Sequence, residues 1–142
     1  MVGGWQDDLV AAGAAIRSGA LALMTAYARE GRDVVVPQLV ADPAQLPRFA
    51  AAAAAAGADY VHVVLTAPPE EVVRRFHERD DEHPWSTSLR ALVERDGGDT
   101  ALLDWCARFD DLVASDPSVV TIRSRGPEET YAALRVALPG KD

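Results

Sequence analysis

The sequence has little or none of several features that whole classes of protein require. Its 142 residues include one cysteine, Cys106, so no disulfide can form within the chain. No uninterrupted apolar run reaches the ~20 residues that a membrane-spanning helix needs. The patterns G-x-S-x-G, H-E-x-x-H and C-x-x-C are absent, so a hydrolase elbow, a zincin site or a dithiol redox site has no support. From these absences we expect a cytoplasmic protein.

Positive charge is also scarce. The formal net charge is -8 and the isoelectric point lies near 4.8. A surface of this sign is repelled by nucleic acid and by anionic membranes, so we expect neither as a partner. The chain is 49% hydrophobic, which suits an ordinary globular protein. Its length predicts a single domain over residues 1–142, whose ligand, if it has one, is a small molecule.

Apolar periodicity and turn residues predict alternating helices and strands. Helices are predicted over residues 8–30, 42–56, from 68 onward, around 89–93, over 100–115 and from 126 to the end. Strands are predicted over residues 33–36, 60–65 and 119–122. Alternation of this kind favours an α/β fold with three layers, in which helices cover both faces of a parallel sheet. Ligands of such sheets bind beyond the carboxyl ends of the strands.

Several helix ends carry a clear signal. Gly31 follows an apolar helical pattern where a left-handed terminal cap would lie, and the helix over residues 42–56 is predicted to stop at Gly57. Pro69, followed by Glu70 and Glu71, has the proline and the acidic residues expected in a first turn. In the last helix, the spacing predicts that Tyr131 is buried.

Five segments, taken in order, resemble the P-loop kinase-like proteins of the AAA_33 type, relatives of gluconate kinase, chloramphenicol phosphotransferase and zeta toxins. Residues 3–8 (GGWQDD) are similar to the segment after that family's second strand. The other matching segments are residues 31–39 (GRDVVVPQL), 61–65 (VHVVL), 74–79 (RRFHER) and 121–129 (TIRSRGPEE). The resemblance implies a P-loop NTPase-like fold that uses ATP and Mg²⁺, and a small hydroxylated metabolite or an antibiotic as the phosphate acceptor.

The chain departs from this family at the phosphate-binding segment. Nothing matches G-x-x-x-x-G-K-[ST], and the only lysine is Lys141. We therefore expect a chain that is truncated at its N-terminus, lacks the first strand and the Walker A loop, and does not hold ATP and Mg²⁺ alone. In the family that strand lies between the third and fourth strands, and three alternatives follow. The gene product is a fragment, the two flanking strands pair directly, or a second chain, including another copy of this one, completes the sheet.

The resemblance assigns Arg74, Arg75 and Arg79 to a lid region of about residues 74–98, where guanidinium groups could contact phosphates. The alternative interpretation is a set of surface ion pairs. Glu71 and Arg75 are four residues apart, which is the spacing of a helical salt bridge.

Four further residues are assigned by position within the resemblance. Arg123 and Arg125 flank the loop that would meet the nucleotide base, where arginine can stack on a purine; solvated loop arginines are the alternative. Gln38 could bind a substrate hydroxyl or serve only as a turn residue at a strand end. Trp5 could form a wall of the substrate site or anchor the terminus. No residue is assigned as catalytic or as a metal ligand.

Two functions therefore remain open. The first is the acceptor, lid and base-loop portion of an ATP-dependent small-molecule phosphotransferase that is inactive alone. The second is a non-catalytic binding or dimerisation module built on a kinase-like scaffold, with an exposed sheet edge available for strand addition.

Overall fold

A computed structural model describes residues 9–40, 43–79 and 84–138. The six α-helices of these ranges are α1 (Leu9–Arg29), α2 (Leu46–Ala56), α3 (Pro69–His77), α4 (Pro84–Arg95), α5 (Asp99–Ser115) and α6 (Pro127–Ala137). The two strands are β1 (Val63–Thr66) and β2 (Val120–Arg123), and a short 3₁₀ turn, Pro43–Gln45, precedes α2. The predicted mixture of helices with a parallel sheet is therefore confirmed in its coarse form.

Backbone contacts divide the chain into two compact units, residues 1–60 and 61–142. In the first unit, α1 packs against α2. Arg29 Nη2 donates to the carbonyl oxygen of Ala55 at 3.1 Å, and Arg48 Nη2 donates to Ser18 Oγ at 3.2 Å. The Arg29 bond satisfies a carbonyl in the last turn of α2 that has no partner inside its own helix.

Glycine ends two helices as predicted. Gly57 has φ 70° and follows α2, and its N–H donates to the carbonyl of Ala54 at 3.0 Å. Gly31 has φ 77° after α1. A side chain at either position would be strained in this left-handed region, so both glycines are required by the backbone.

The predicted strand over residues 33–36 is wrong. These residues are irregular and exposed, and Val35 is 84% exposed. In the described part of the chain β1 and β2 pair with each other, and this segment pairs with neither of them. Without a ladder partner, β-branched residues have no pleated surface to pack on, and their preference for strands has no effect.

The second unit contains the sheet. β1 and β2 are parallel, with Val63 opposite Val120 and Thr66 opposite Arg123. The connection between them runs through α3, α4 and α5, as parallel strands require a long crossover. Both strands lie a little C-terminal to their predicted positions, and α6 contacts β2.

The core of the second unit lies among its helices. Phe76, Val93 and Leu102 form a buried cluster, and Val93 is 1% exposed. Val73, Leu89 and Trp105 pack against this cluster. Each of the helices α3, α4 and α5 contributes a buried residue, so the cluster fixes α3 against the rest of the unit.

One prediction about a helix face is wrong. Tyr131 was expected to be buried in α6 but is 64% exposed, while Thr130 beside it is buried. The apolar face of α1 that includes Ile16 and Leu23 is largely exposed, although the helix itself forms as predicted. None of the helices in the described ranges combines the length and the apolarity that crossing a bilayer requires.

Candidate functional site

The strand ends place two loops side by side. Thr66 and Arg123 are the last residues of β1 and β2, and they lie opposite each other in the register. The ladder continues for one more bond, because the Ser124 N–H donates to the Thr66 carbonyl at 2.8 Å. The loop from Ala67 to α3 and the loop from Ser124 to α6 therefore begin at the same carboxyl edge, where parallel sheets bind their ligands.

An open depression of about 330 Å³ lies at this edge. Its lining comes from both strand ends and from α5: Thr66, Ala67, Pro68, Asp110, Val113, Thr121 and Arg123. Thr121 and Arg123 share one face of β2 because alternate strand residues point the same way. The lining combines a guanidinium, a carboxylate and two hydroxyls with apolar carbon, which suits an amphipathic or heterocyclic ligand.

Arg75 joins α3 to the loop after β2. Its Nη1 donates to Ser124 Oγ at 3.2 Å, and its Nη2 donates to the Ser124 carbonyl at 3.1 Å. Nη2 also donates to Glu71 Oε1 at 2.5 Å, so the predicted pair between Glu71 and Arg75 is confirmed. Both terminal nitrogens of this guanidinium therefore have acceptors within the protein.

Arg74 lies on the exposed side of α3 and makes surface ion pairs. Its Nη1 is 2.6 Å from Glu78 Oε2, and its Nη2 is 3.6 Å from Glu71 Oε1. The hydrogen bond and the charge of Glu78 raise the pKa of Arg74 above its ordinary value. The structure thus favours the surface-pair interpretation for Arg74.

Arg79 follows the C-terminal end of α3 and is exposed. Its carbonyl oxygen accepts a bond from Arg90 Nη2 at 3.3 Å. The predicted lid begins in α3 and includes α4, and the buried Val93 of α4 belongs to the core cluster. That these arginines contact a phosphate stays a prediction.

Arg123 and Arg125 lie together at the carboxyl edge, as the sequence predicted, and both are exposed. Arg125 lies between Ser124, whose N–H donates to the Thr66 carbonyl, and Gly126, which precedes α6. Gln38 is exposed in the irregular segment that follows α1. Trp5 lies outside the described residues. The roles assigned to these two residues stay predictions.

Sequence reasoning did not find Ser124 or the lining residue Asp110. Ser124 stands between two arginines in a loop, and only the structure shows that Arg75, 49 positions earlier, reaches it. Asp110 precedes Val113 by three positions, so the two share a face of α5. This three-residue spacing is the signal in the sequence that could have placed Asp110 beside Val113.

A family model described as an AAA domain, named AAA_33, matches residues 4–95, which is more than half of the chain. The resemblance rested on five segments. The match contains three of them completely and most of a fourth. No curated protein and no solved structure matches the chain.

Proposed function

Since the chain belongs to the AAA_33 family of P-loop kinase-like proteins, we propose that it is the acceptor, lid and base-loop portion of an ATP-dependent small-molecule phosphotransferase. The observation that carries the proposal is the pair Arg123 and Arg125 at the shared carboxyl edge of β1 and β2. In the proposed mode the nucleobase lies against this edge.

The chemistry of the edge suits a purine. A guanidinium can stack on an aromatic heterocycle, and the exposed Arg123 and Arg125 have the freedom to do so. Thr66 and Thr121 supply hydroxyls that can donate to ring nitrogens or accept from an amino group. Val113 and Pro68 supply the apolar carbon against which a ring can pack.

The same edge is poorly equipped for phosphates. The sequence has no G-x-x-x-x-G-K-[ST] and one lysine, Lys141. The guanidinium of Arg75 already donates to Ser124 and Glu71. In the described ranges no three histidine, cysteine, aspartate or glutamate side chains are grouped as a metal cage. ATP would supply the phosphoryl group and bring Mg²⁺ with it. We propose that this chain by itself binds the base weakly and transfers no phosphate.

The roles of the residues on the acceptor side are proposed from their positions within the family resemblance. Gln38, exposed after the Val-rich segment, would hydrogen-bond an acceptor hydroxyl, and Trp5 would wall the substrate site. The acceptor itself stays open between a small hydroxylated metabolite and an antibiotic.

The test is an NMR titration of the isotope-labelled protein with adenosine, with uridine as the ligand control. We expect adenosine to shift the amides of residues 123–126 with a Kd on the order of 1 mM, and uridine to bind more weakly because its smaller ring stacks less. The double variant Arg123→Ala and Arg125→Ala should weaken adenosine at least about fivefold. Arg135→Ala, an exposed arginine in α6, is the matched control and should not change the affinity.

Adenosine shifts that fall elsewhere, or no shifts at all up to ~10 mM, would refute a base site at this edge.

One observation favours the second function, a module that completes its sheet with another chain. Among the described residues the sheet has two strands, so one side of each strand has no strand partner. Open edges of this kind recruit strands. A homodimer or a heterologous partner would then occupy the edge, and sedimentation equilibrium tests for the homodimer. A monomer at ~100 µM would remove the homodimer from consideration.

A further inference from the structure

We infer that Arg75 is a positioning residue that sets the geometry of the loop at residues 124–126, and not a phosphate ligand. The inference rests on the proposed function, because it assigns a role within the same site. It concerns the loop that presents Arg125, and it follows from contacts within the second unit.

The Arg75 guanidinium already has bonding partners within the protein. Nη1 donates to Ser124 Oγ, and Nη2 donates to both the Ser124 carbonyl and Glu71 Oε1. These bonds use three of the five N–H groups of the guanidinium, and a phosphate could take those three only by displacing Ser124 and by approaching the carboxylate of Glu71. Both changes oppose the binding of an anion. Displacing Ser124 leaves its carbonyl without the Arg75 bond, and the negative charge of Glu71 repels a phosphate.

Ser124 is held by hydrogen bonds at both of its backbone groups. Its N–H donates to the Thr66 carbonyl at 2.8 Å, and its own carbonyl accepts from Arg75 at 3.1 Å. Both backbone groups of this residue are therefore bonded, one to β1 and the other to α3. Since α3 is fixed by Phe76 in the core cluster, the guanidinium transmits the position of that core to the loop.

Arg125 lies between Ser124 and Gly126. The carbonyl of Gly126, the next residue, accepts from the Thr130 N–H at 3.0 Å in the first turn of α6. Arg125 is thus the single residue between two bonded positions, which restrict the path of its backbone. Without Arg75, Ser124 would keep its bond to Thr66 but lose its bonds to α3.

Amide hydrogen exchange of the protein without any ligand tests the tether directly. The Ser124 amide bonds to Thr66 at one end of β2, and the Val120 amide bonds to His62 at the other end, so Val120 is an internal reference. Arg75→Ala should speed exchange at Ser124 at least about fivefold relative to Val120. Arg75→Lys, which keeps the charge but cannot fork, should give an intermediate value.

Arg74→Ala is the matched control for exchange. It removes an arginine and its ion pairs from the same helix, and the bonds of Arg74 go to glutamates of α3 and its end, not to the loop. The ratio of the Ser124 exchange rate to the Val120 exchange rate should therefore stay at the wild-type value. Ser124→Ala tests the tether from the other side and should give a smaller rise than Arg75→Ala, because the carbonyl bond remains. An unchanged ratio in both Arg75→Ala and Ser124→Ala would overturn the inference.

Adenosine binding separates positioning from general stabilisation. Arg75→Ala should weaken adenosine at least about fivefold while Val120 exchange stays at its wild-type rate, and Arg75→Lys should recover part of the loss. A lower melting temperature with unchanged adenosine affinity would overturn the positioning role. Wild-type protein that binds no adenosine refutes the proposed function, whereas the exchange ratio still decides whether Arg75 holds the loop.

Discussion

His77 Nε2 lies 2.7 Å from Asp99 Oδ1, and this contact joins the last turn of α3 to the first turn of α5. A carboxylate is favourable at a helix N-terminus, and a protonated imidazole would be favourable at a helix C-terminus. The pair is about half exposed, so its contribution to the free energy of unfolding should be small.

A double-mutant cycle with His77→Ala and Asp99→Ala, measured by urea unfolding at pH 6, should give a coupling free energy of about 0.3–1 kcal/mol. High salt should reduce this coupling, because exposed charges are screened. A coupling above ~2 kcal/mol would contradict the half-exposed geometry.

The buried cluster of the second unit predicts where substitutions destabilise most. Phe76→Ala should lower the free energy of unfolding by about 3 kcal/mol or more, and Val93→Ala by about 2 kcal/mol, because each leaves a cavity among α3, α4 and α5. Val136→Ala is the control, since Val136 is 89% exposed and should change stability by less than ~0.5 kcal/mol. Equal effects at Val93 and Val136 would show that this cluster is not the core.

Local signals in the sequence predicted the helices well. Gly57 ended α2 and Pro69 began α3, because these signals act over one helical turn and need no distant partner. The strand predicted at residues 33–36 failed for the opposite reason. A strand requires a neighbour to bond its backbone, and sequence composition does not report whether that neighbour is present.

The candidate site was predictable in part. Arg123 and Arg125 were expected at a strand end, and the parallel register places them at the carboxyl edge beside Thr66. The bond from Arg75 to Ser124 was not predictable, because it spans 49 positions and depends on how α3 packs. This bond is the basis of the inference that Arg75 holds the loop at residues 124–126.

Asp116 gives a prediction about pH. Ser118 donates to Asp116 Oδ1 from its hydroxyl at 2.6 Å and from its N–H at 2.9 Å, and these bonds lower the pKa of the carboxyl group. A lowered native pKa means that the unfolded chain takes up the proton first as the pH falls. The stabilisation is therefore present above the ordinary carboxyl pKa of about 3.9 and is lost as the pH falls through the native value.

Carbon NMR titration of the Asp116 carboxyl group measures this pKa, and Ser118→Ala should raise it towards the ordinary value. The difference in urea midpoint between the wild type and Asp116→Asn should shrink as the pH falls from 7 towards ~2. A difference that grows with acidity would have the wrong sign.

Cys106 gives a prediction about reactivity. Burial raises the pKa of its thiol, and the carboxylate of Asp110, one turn away, raises it further. At pH 8 the native protein should therefore react with iodoacetamide several-fold more slowly than the chain unfolded in urea, because the thiolate is the nucleophile. Asp110→Asn should speed the native reaction, and Asp111→Asn is the neighbouring control. A native rate equal to the unfolded rate would contradict the raised pKa.

In the proposed function, this chain binds a nucleobase at the edge formed by Thr66 and Arg123 and does not bind the phosphates. Isothermal titration calorimetry of the 142-residue protein with adenosine and with ATP–Mg²⁺ compares the two directly. We predict dissociation constants within about tenfold of each other, a difference of about 1.4 kcal/mol or less. Micromolar binding of ATP–Mg²⁺ that is more than ~100-fold tighter than that of adenosine would contradict the claim.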